Sequence, residues 1–214
     1  RFIQQVVDMS RGLKKGVQIE NWQREENTLL RLPTKTEITA YQNCNLRNQV
    51  RGDLINLELS RGEEIVQKEK YLCYLGFFFL EICQDNANRA GEMRHMTLAE
   101  FQEGVVDNET QSLVVSVKKH KTYYMYGSTL LVLNRELSSL LGTYKNFVRP
   151  VFEQDNSPET FFLNKYGGSL NSSSLSYCMQ KFWTEAGFKS EVGPTLMRKA
   201  AVTFVHQSDP TRSA

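Results

Sequence analysis

Arg89-Ala90-Gly91-Glu92-Met93-Arg94-His95-Met96-Thr97-Leu98-Ala99-Glu100-Phe101 stands where the chain changes character. Before it lies the longest apolar run, Tyr71-Leu72-Cys73-Tyr74-Leu75-Gly76-Phe77-Phe78-Phe79-Leu80. Ile65, Leu72, Leu75, Phe79 and Ile82 recur at helical spacing, which predicts a buried helix over residues 64–84. The run is too short to span a bilayer and ends at Glu81, so no membrane partner is expected. After the quoted stretch come two β-rich runs, Leu113-Val114-Val115-Ser116-Val117 and Thr129-Leu130-Leu131-Val132-Leu133. A basic, tyrosine-rich segment with Gly127 joins them, and the pattern predicts a hairpin with Lys121 near its turn.

Towards the C-terminus, Leu137, Leu140, Leu141, Tyr144 and Val148 form a helix stripe that Pro150 should halt. Phe161-Phe162-Leu163 precedes a turn at Gly167-Gly168. Ser172 or Ser173 is placed to cap the next helix, which carries Leu175, Cys178, Met179, Phe182 and Trp183 and stops at Gly187. Pro194 opens a last helix with Met197, Ala200, Ala201, Phe204 and Val205 inward. Towards the N-terminus, the apolar positions between Thr36 and Leu59 fit helix loosely, with Gly52 a weak point. Residues 1–35 read as a linker or the tail of an upstream region in which any helix is short. Residues 36–214 read as one domain. The chain starts at Arg1 without an initiator Met, so it reads as a piece of something longer.

Hydrophobic residues make up 40% and charged residues 23% of the chain, which argues against disorder and for a real core. The four cysteines form no Cys-x-x-Cys pair and lie near no histidine pair. Reduced, mostly buried thiols in an intracellular protein are therefore expected rather than zinc or disulfides. Net charge is +2, unevenly spread: residues 1–111 carry −3 and residues 112–214 carry +5. A basic C-terminal half suits a polyanion, although a solvated surface would look similar.

The cations come in an ordered set. Arg89 opens Arg89-x-x-Glu92, Lys121 lies in Lys119-His120-Lys121-Thr122, and Arg198 ends Pro194-Thr195-x-x-Arg198. Alone, each has a plain explanation: a solvated ion pair for Arg89 and Glu92, a solvated hairpin for the lysines, an exposed helix face for Arg198 beside Lys199. Their order and surroundings weigh more. A long apolar helix, Arg-x-x-Glu, a Lys-Thr hairpin, helices, Gly-Gly-Ser-Leu and Pro-Thr-x-x-Arg follow one another as in the catalytic domain of tyrosine recombinases. The chain resembles that phage-integrase-like family from about residue 36 to its end, and also the recombinase-derived domains of animal and fungal mobile elements.

The resemblance implies a mainly helical α+β fold with a small antiparallel sheet, and a DNA-binding domain for strand cleavage and rejoining through a 3′-phosphotyrosine. Arg89 and Arg198 would clamp the phosphate, because planar guanidiniums match its oxygens and count most as charge grows in the transition state. Lys121 would protonate the leaving 5′ oxygen, with Lys119 in reserve. Glu92 would support Arg89, and Lys119, His120 and Lys199 would contact DNA. No cofactor or metal is implied. Double-stranded DNA is the expected partner, with a homo-oligomer assembled on it, in the nucleus if the source is eukaryotic.

Two departures from the family pattern stand out. Thr195 occupies the place of the family's histidine; it can donate a hydrogen bond to phosphate but cannot shuttle a proton near neutral pH. The family's nucleophilic tyrosine lies beyond its second arginine, whereas the sixteen residues after Arg198 contain none. Either the sequence stops short of the nucleophile or the protein has lost it. The alternatives are thus a catalytically inactive recombinase-derived module that binds DNA or protein, and an unrelated interaction protein whose cations coincide by accident. Tyr123, Tyr124 and Tyr126 are expected to pack or touch a partner, and His95 and His206 to be packing or surface histidines.

Overall fold

The computed structural model describes residues 17–62, 66–87, 89–119, 124 and 127–208, without the side chains of 205–208. The chain divides into two compact units between Leu32 and Pro33. In the first, residues 17–29 form a helix (α1), longer than the polar composition suggested. The second unit holds α2 (Lys35–Gln42), α3 (Asn45–Leu59), α4 (Tyr71–Asn86), α5 (Ala90–His95), α6 (Leu98–Gln102), β1 (Val105–Val106), β2 (Leu113–Val117), β3 (Thr129–Leu133), α7 (Arg135–Thr143), α8 (Ser172–Glu185) and α9 (Pro194–Ser208). Among the described residues, no helix is long and apolar enough to cross a membrane.

Helix α4 is the axis of the core. Tyr71, Leu75, Phe77, Phe78, Phe79, Leu80 and Ile82 are fully buried, so the helix is covered on all sides rather than along one stripe. Its largest contact is with α8. Gly76 makes that contact possible: a Cβ there would lie 2.4 Å from the Cys178 carbonyl oxygen and 2.7 Å from Phe182 Cβ. On another side, Tyr71 Oη donates to the Leu163 carbonyl at 2.9 Å and lies 2.9 Å from Tyr144 Oη. Phe161 and Phe162 close the aromatic cluster around Tyr144. The Trp183 ring stacks on Tyr41 at 5.5 Å, which fastens α2 to α8.

The sheet runs β1-β2-β3, all antiparallel, with Val105 opposite Val114 and Val115 opposite Leu131. Val115, Val117, Leu131 and Leu133 face the core in strict alternation. The Asn86 side chain joins the sheet to the end of α4, donating to the Val132 carbonyl at 2.8 Å and accepting from its N–H at 2.6 Å.

Several local expectations are corrected. Residues 36–59 form two helices, because the chain breaks at Asn43 and Cys44, and Gly52 sits inside the second. Helix α4 begins only at Tyr71, after a 3-10 turn at Lys68–Lys70. Asn171, not Ser172 or Ser173, caps α8, accepting from the Ser174 N–H at 2.7 Å. Beyond α7 a π-turn (Tyr144–Val148) and a 3-10 turn (Arg149–Val151) carry the chain through Pro150, which needs no N–H so early in a turn. The two-residue strand β1 had no visible signal. Cys73, Cys83 and Cys178 are buried free thiols, and Cys44 is half-buried.

Candidate nucleic-acid interface

The start of α5 is fixed by what ends α4. Ala87 adopts the left-handed conformation (φ 49°) and stops α4; Arg89 is extended and serves as N-cap of α5. Glu92, buried, accepts from the Arg89 N–H at 3.0 Å. Met93 and Met96 are fully buried beside it, and the Cys83 thiol contacts Met93 Sδ at 3.8 Å. With that face committed inward, Arg89 is left exposed and Arg94 half-buried. At the other end of the chain, Pro194 opens α9, and Met197 and Ala200 enter the core. Arg198 follows Met197, about 100° around the helix, and therefore leaves the core.

These elements meet at one cleft of about 320 Å³ lined by Arg89, Ala90, Gly91, Glu92, Arg94, Ser172, Thr195 and Arg198. The N-terminal turns of α8 (Ser172) and α9 (Thr195) both open onto it. The dipoles of these two helices add positive potential to the three guanidiniums. Glu92 is the one carboxylate in the lining, and it is already held by the Arg89 backbone. A Cβ added at Gly91 would meet nothing within 4 Å beyond its own helix and chain neighbours, so this side of the cleft is open. The arrangement suits a bound anion.

Of the residues singled out from sequence, the fold thus brings Arg89, Glu92, Thr195 and Arg198 together. Lys199 is half-buried on α9 but does not line the cleft. Lys121 and His120 lie outside the described residues, as do Tyr123 and Tyr126, whereas Tyr124 is 99% exposed. The start of their segment is placed. The Lys118 N–H donates to Glu100 Oε1 at 2.9 Å, while Glu100 Oε2 accepts from the Thr97 N–H at 2.9 Å. Lys119 is exposed. His95, adjoining Arg94, is held below its usual range first by burial and then by the nearby charges of Arg94 and Lys119. The end of β2 is thus tied to α6, and the charge of Lys119 reaches His95 on α5.

Sequence reading missed Arg94, Ser172 and Glu100. The Thr97-x-x-Glu100 capping box was legible; its second use, as a clasp for the hairpin, was not. The core tyrosines are poor nucleophile candidates. Burial pushes Tyr144 up to about 12 and Tyr71 well above its usual range, and both hydroxyls are hydrogen-bonded inside the core.

By sequence, no family model and no curated protein matches the chain. Solved structures match it in fold. One is a XerH site-specific recombinase bound to difH substrate in a pre-cleavage complex, with TM-score 0.52 and 13% identity over 83% of this chain and 44% of that one. Another is XerH on palindromic difH substrate in a post-cleavage complex, with TM-score 0.50 and 15% identity over 83% and 43%. The chain spans less than half the length of these recombinases, and at such identity the likeness is one of fold. A mainly helical α+β unit with a small three-stranded antiparallel sheet, it has the architecture of a tyrosine-recombinase catalytic domain.

Proposed function

We propose that the cleft holds a backbone phosphodiester of duplex DNA and that the domain serves DNA strand breakage and rejoining. One observation carries the reading: Arg89 and Arg198, over a hundred residues apart in sequence, line a single cleft with Thr195 and two helix N-termini. Guanidiniums from different helices bind the non-bridging oxygens in fixed geometry, and their worth rises as negative charge builds at phosphorus. Lys121, between β2 and β3 in sequence, would donate the proton taken by the 5′ oxygen that leaves when a tyrosine hydroxyl, a group not found among the sixteen residues after Arg198, attacks phosphorus and forms the 3′-phosphotyrosine. Glu92 sets the turn that presents Arg89. The solved recombinases of like fold were captured on DNA substrates, which favours the same partner here. An intracellular location (the nucleus if the source is eukaryotic), assembly as a homo-oligomer on DNA and descent from a mobile element belong to the same proposal.

Thr195 favours a second reading, a module that grips DNA without cutting it, because a hydroxyl binds phosphate yet moves no proton near neutral pH. Both readings require duplex affinity that falls steeply with salt. Charge reversal at Lys121 or Arg198 that leaves this affinity untouched removes the site from either. A nicked suicide duplex then separates them. A covalent adduct with the full-length protein, lost in Arg198→Gln, identifies the enzyme; salt-sensitive binding without an adduct identifies the module.

A further inference from the structure

Arg94 has no counterpart among the residues that sequence order marked, yet it lines the same cleft as Arg89 and Arg198. It stands one turn after Ala90 and Gly91, and a Cβ added at Gly91 would meet nothing beyond its own helix and chain neighbours. Its side chain is half-buried, and its Nε is buried without a hydrogen bond among the described residues. The Nε atoms of Arg51 and Arg149 share that condition, but those guanidiniums are paired, with Glu136 and Glu153 respectively. No carboxylate pairs with Arg94 among the described residues. A guanidinium partly withdrawn from water, beside two others, raises the local potential, and among the described residues Glu92 is the one carboxylate lining the cleft with three arginines.

We propose that Arg94 is a third phosphate-binding arginine of the cleft, supplying from α5 the cationic contact that Thr195 does not. The inference rests on the DNA reading above and adds a residue to it. A phosphate oxygen entering between Arg89 and Arg198 offers Arg94 an acceptor, and the cleft has room for a phosphodiester with part of its sugar. The family's histidine place is neutral here, so Arg94 restores a positive group without restoring a proton donor, since its guanidinium does not titrate. It binds and orients; it takes no part in proton transfer.

The test is fluorescence anisotropy of a labelled duplex with the 214-residue protein over a salt series, comparing wild type, Arg94→Gln and Arg94→Lys. Arg94→Gln should weaken binding about tenfold at low salt and flatten the slope of log affinity against log salt by about 0.9, the loss of one phosphate contact. Arg94→Lys should keep the slope while losing part of the affinity, because the charge stays and the planar fork goes. A merely packing role for Arg94 would leave the slope unmoved. Wild type and Arg94→Gln alike in slope and affinity overturn the proposal while the DNA reading survives. Wild type that ignores duplex DNA overturns both. If Arg94→Gln fails to fold, Arg94→Met, which keeps an apolar stem and removes the charge, takes its place, and a wild-type slope there overturns the proposal.

Discussion

Arg47 grips Glu81 through Nε and Nη2, each at 2.8 Å, and Arg149, almost fully buried, pairs with Glu153 and donates to the carbonyls of Pro158 and Thr160. Arg51 likewise meets Glu136. Arg89, Arg94 and Arg198 share one cleft, and among the described residues none has a carboxylate partner. The two groups have the same side chain and different physical settings. The first spends its charge inside the protein, where removing one partner strands the other. The second keeps its charge available for something outside. That difference separates a cationic cleft from a protein that merely contains many arginines.

The comparison breaks most sharply at Arg149. Arg149→Met leaves the Pro158 and Thr160 carbonyls without their donor and Glu153 without its partner, which should cost about 3 kcal/mol of stability. The measurement is the urea midpoint at unchanged m-value, with the DNA affinity of the folded protein unaltered. Next comes the converse. Arg89→Gln with Arg198→Gln should lower duplex affinity about a hundredfold at low salt and reduce the salt slope by about 1.8. Stability should stay within about 0.5 kcal/mol, because neither guanidinium holds the fold. If the double variant instead melts early and binds DNA as before, the cleft arginines belong with the structural set.

A smaller effect sharpens the contribution of the helix ends. Asn171→Ala removes the oxygen that satisfies the Ser174 N–H and should cost about 1 kcal/mol. Binding should weaken less than with any cleft arginine, since the α8 dipole persists with a frayed first turn. Loss of affinity equal to that of Arg198→Gln would mean that the helix N-terminus, rather than the arginines, holds the anion.

How much of this was legible in the chain depends on how local the signal was. β2 and β3 fall on Leu113–Val117 and Thr129–Leu133, the two β-rich runs, whereas the exposure of Leu130 and Val132 is an alternation of burial that their apolar side chains do not show. Pro194 and Gly187 mark helix ends in place, Gly187 through a φ of 93° that favours glycine. The start of α4 was misplaced, since an all-round apolar helix has no polar face to show where winding begins. Asn171 hid beside Ser172 and Ser173, two serines with equal claim to cap. Arg94 was invisible for a different reason. Its importance comes from Met93 and Met96 being buried, Gly91 being open and α8 and α9 arriving from far along the chain, and no spacing within one segment encodes that.

The finest test lies at His95, next to Arg94 on α5. Burial, then Arg94 and Lys119, hold its folded pKa below the ordinary value, so the folded state favours the neutral ring while the unfolded chain protonates near about 6.5. Between those two values the unfolded state carries the extra proton, so stability rises with pH and is lost as pH falls through the same window. Urea midpoints from pH 7 down to 5 should therefore decline, and His95→Asn should flatten part of that decline. Bound DNA changes the sign of the neighbourhood: a phosphate beside Arg94 offsets the two cations and should raise the His95 pKa, which NMR titration of the ring with and without duplex would register. A ring that titrates identically in both states would place the bound phosphate away from Arg94.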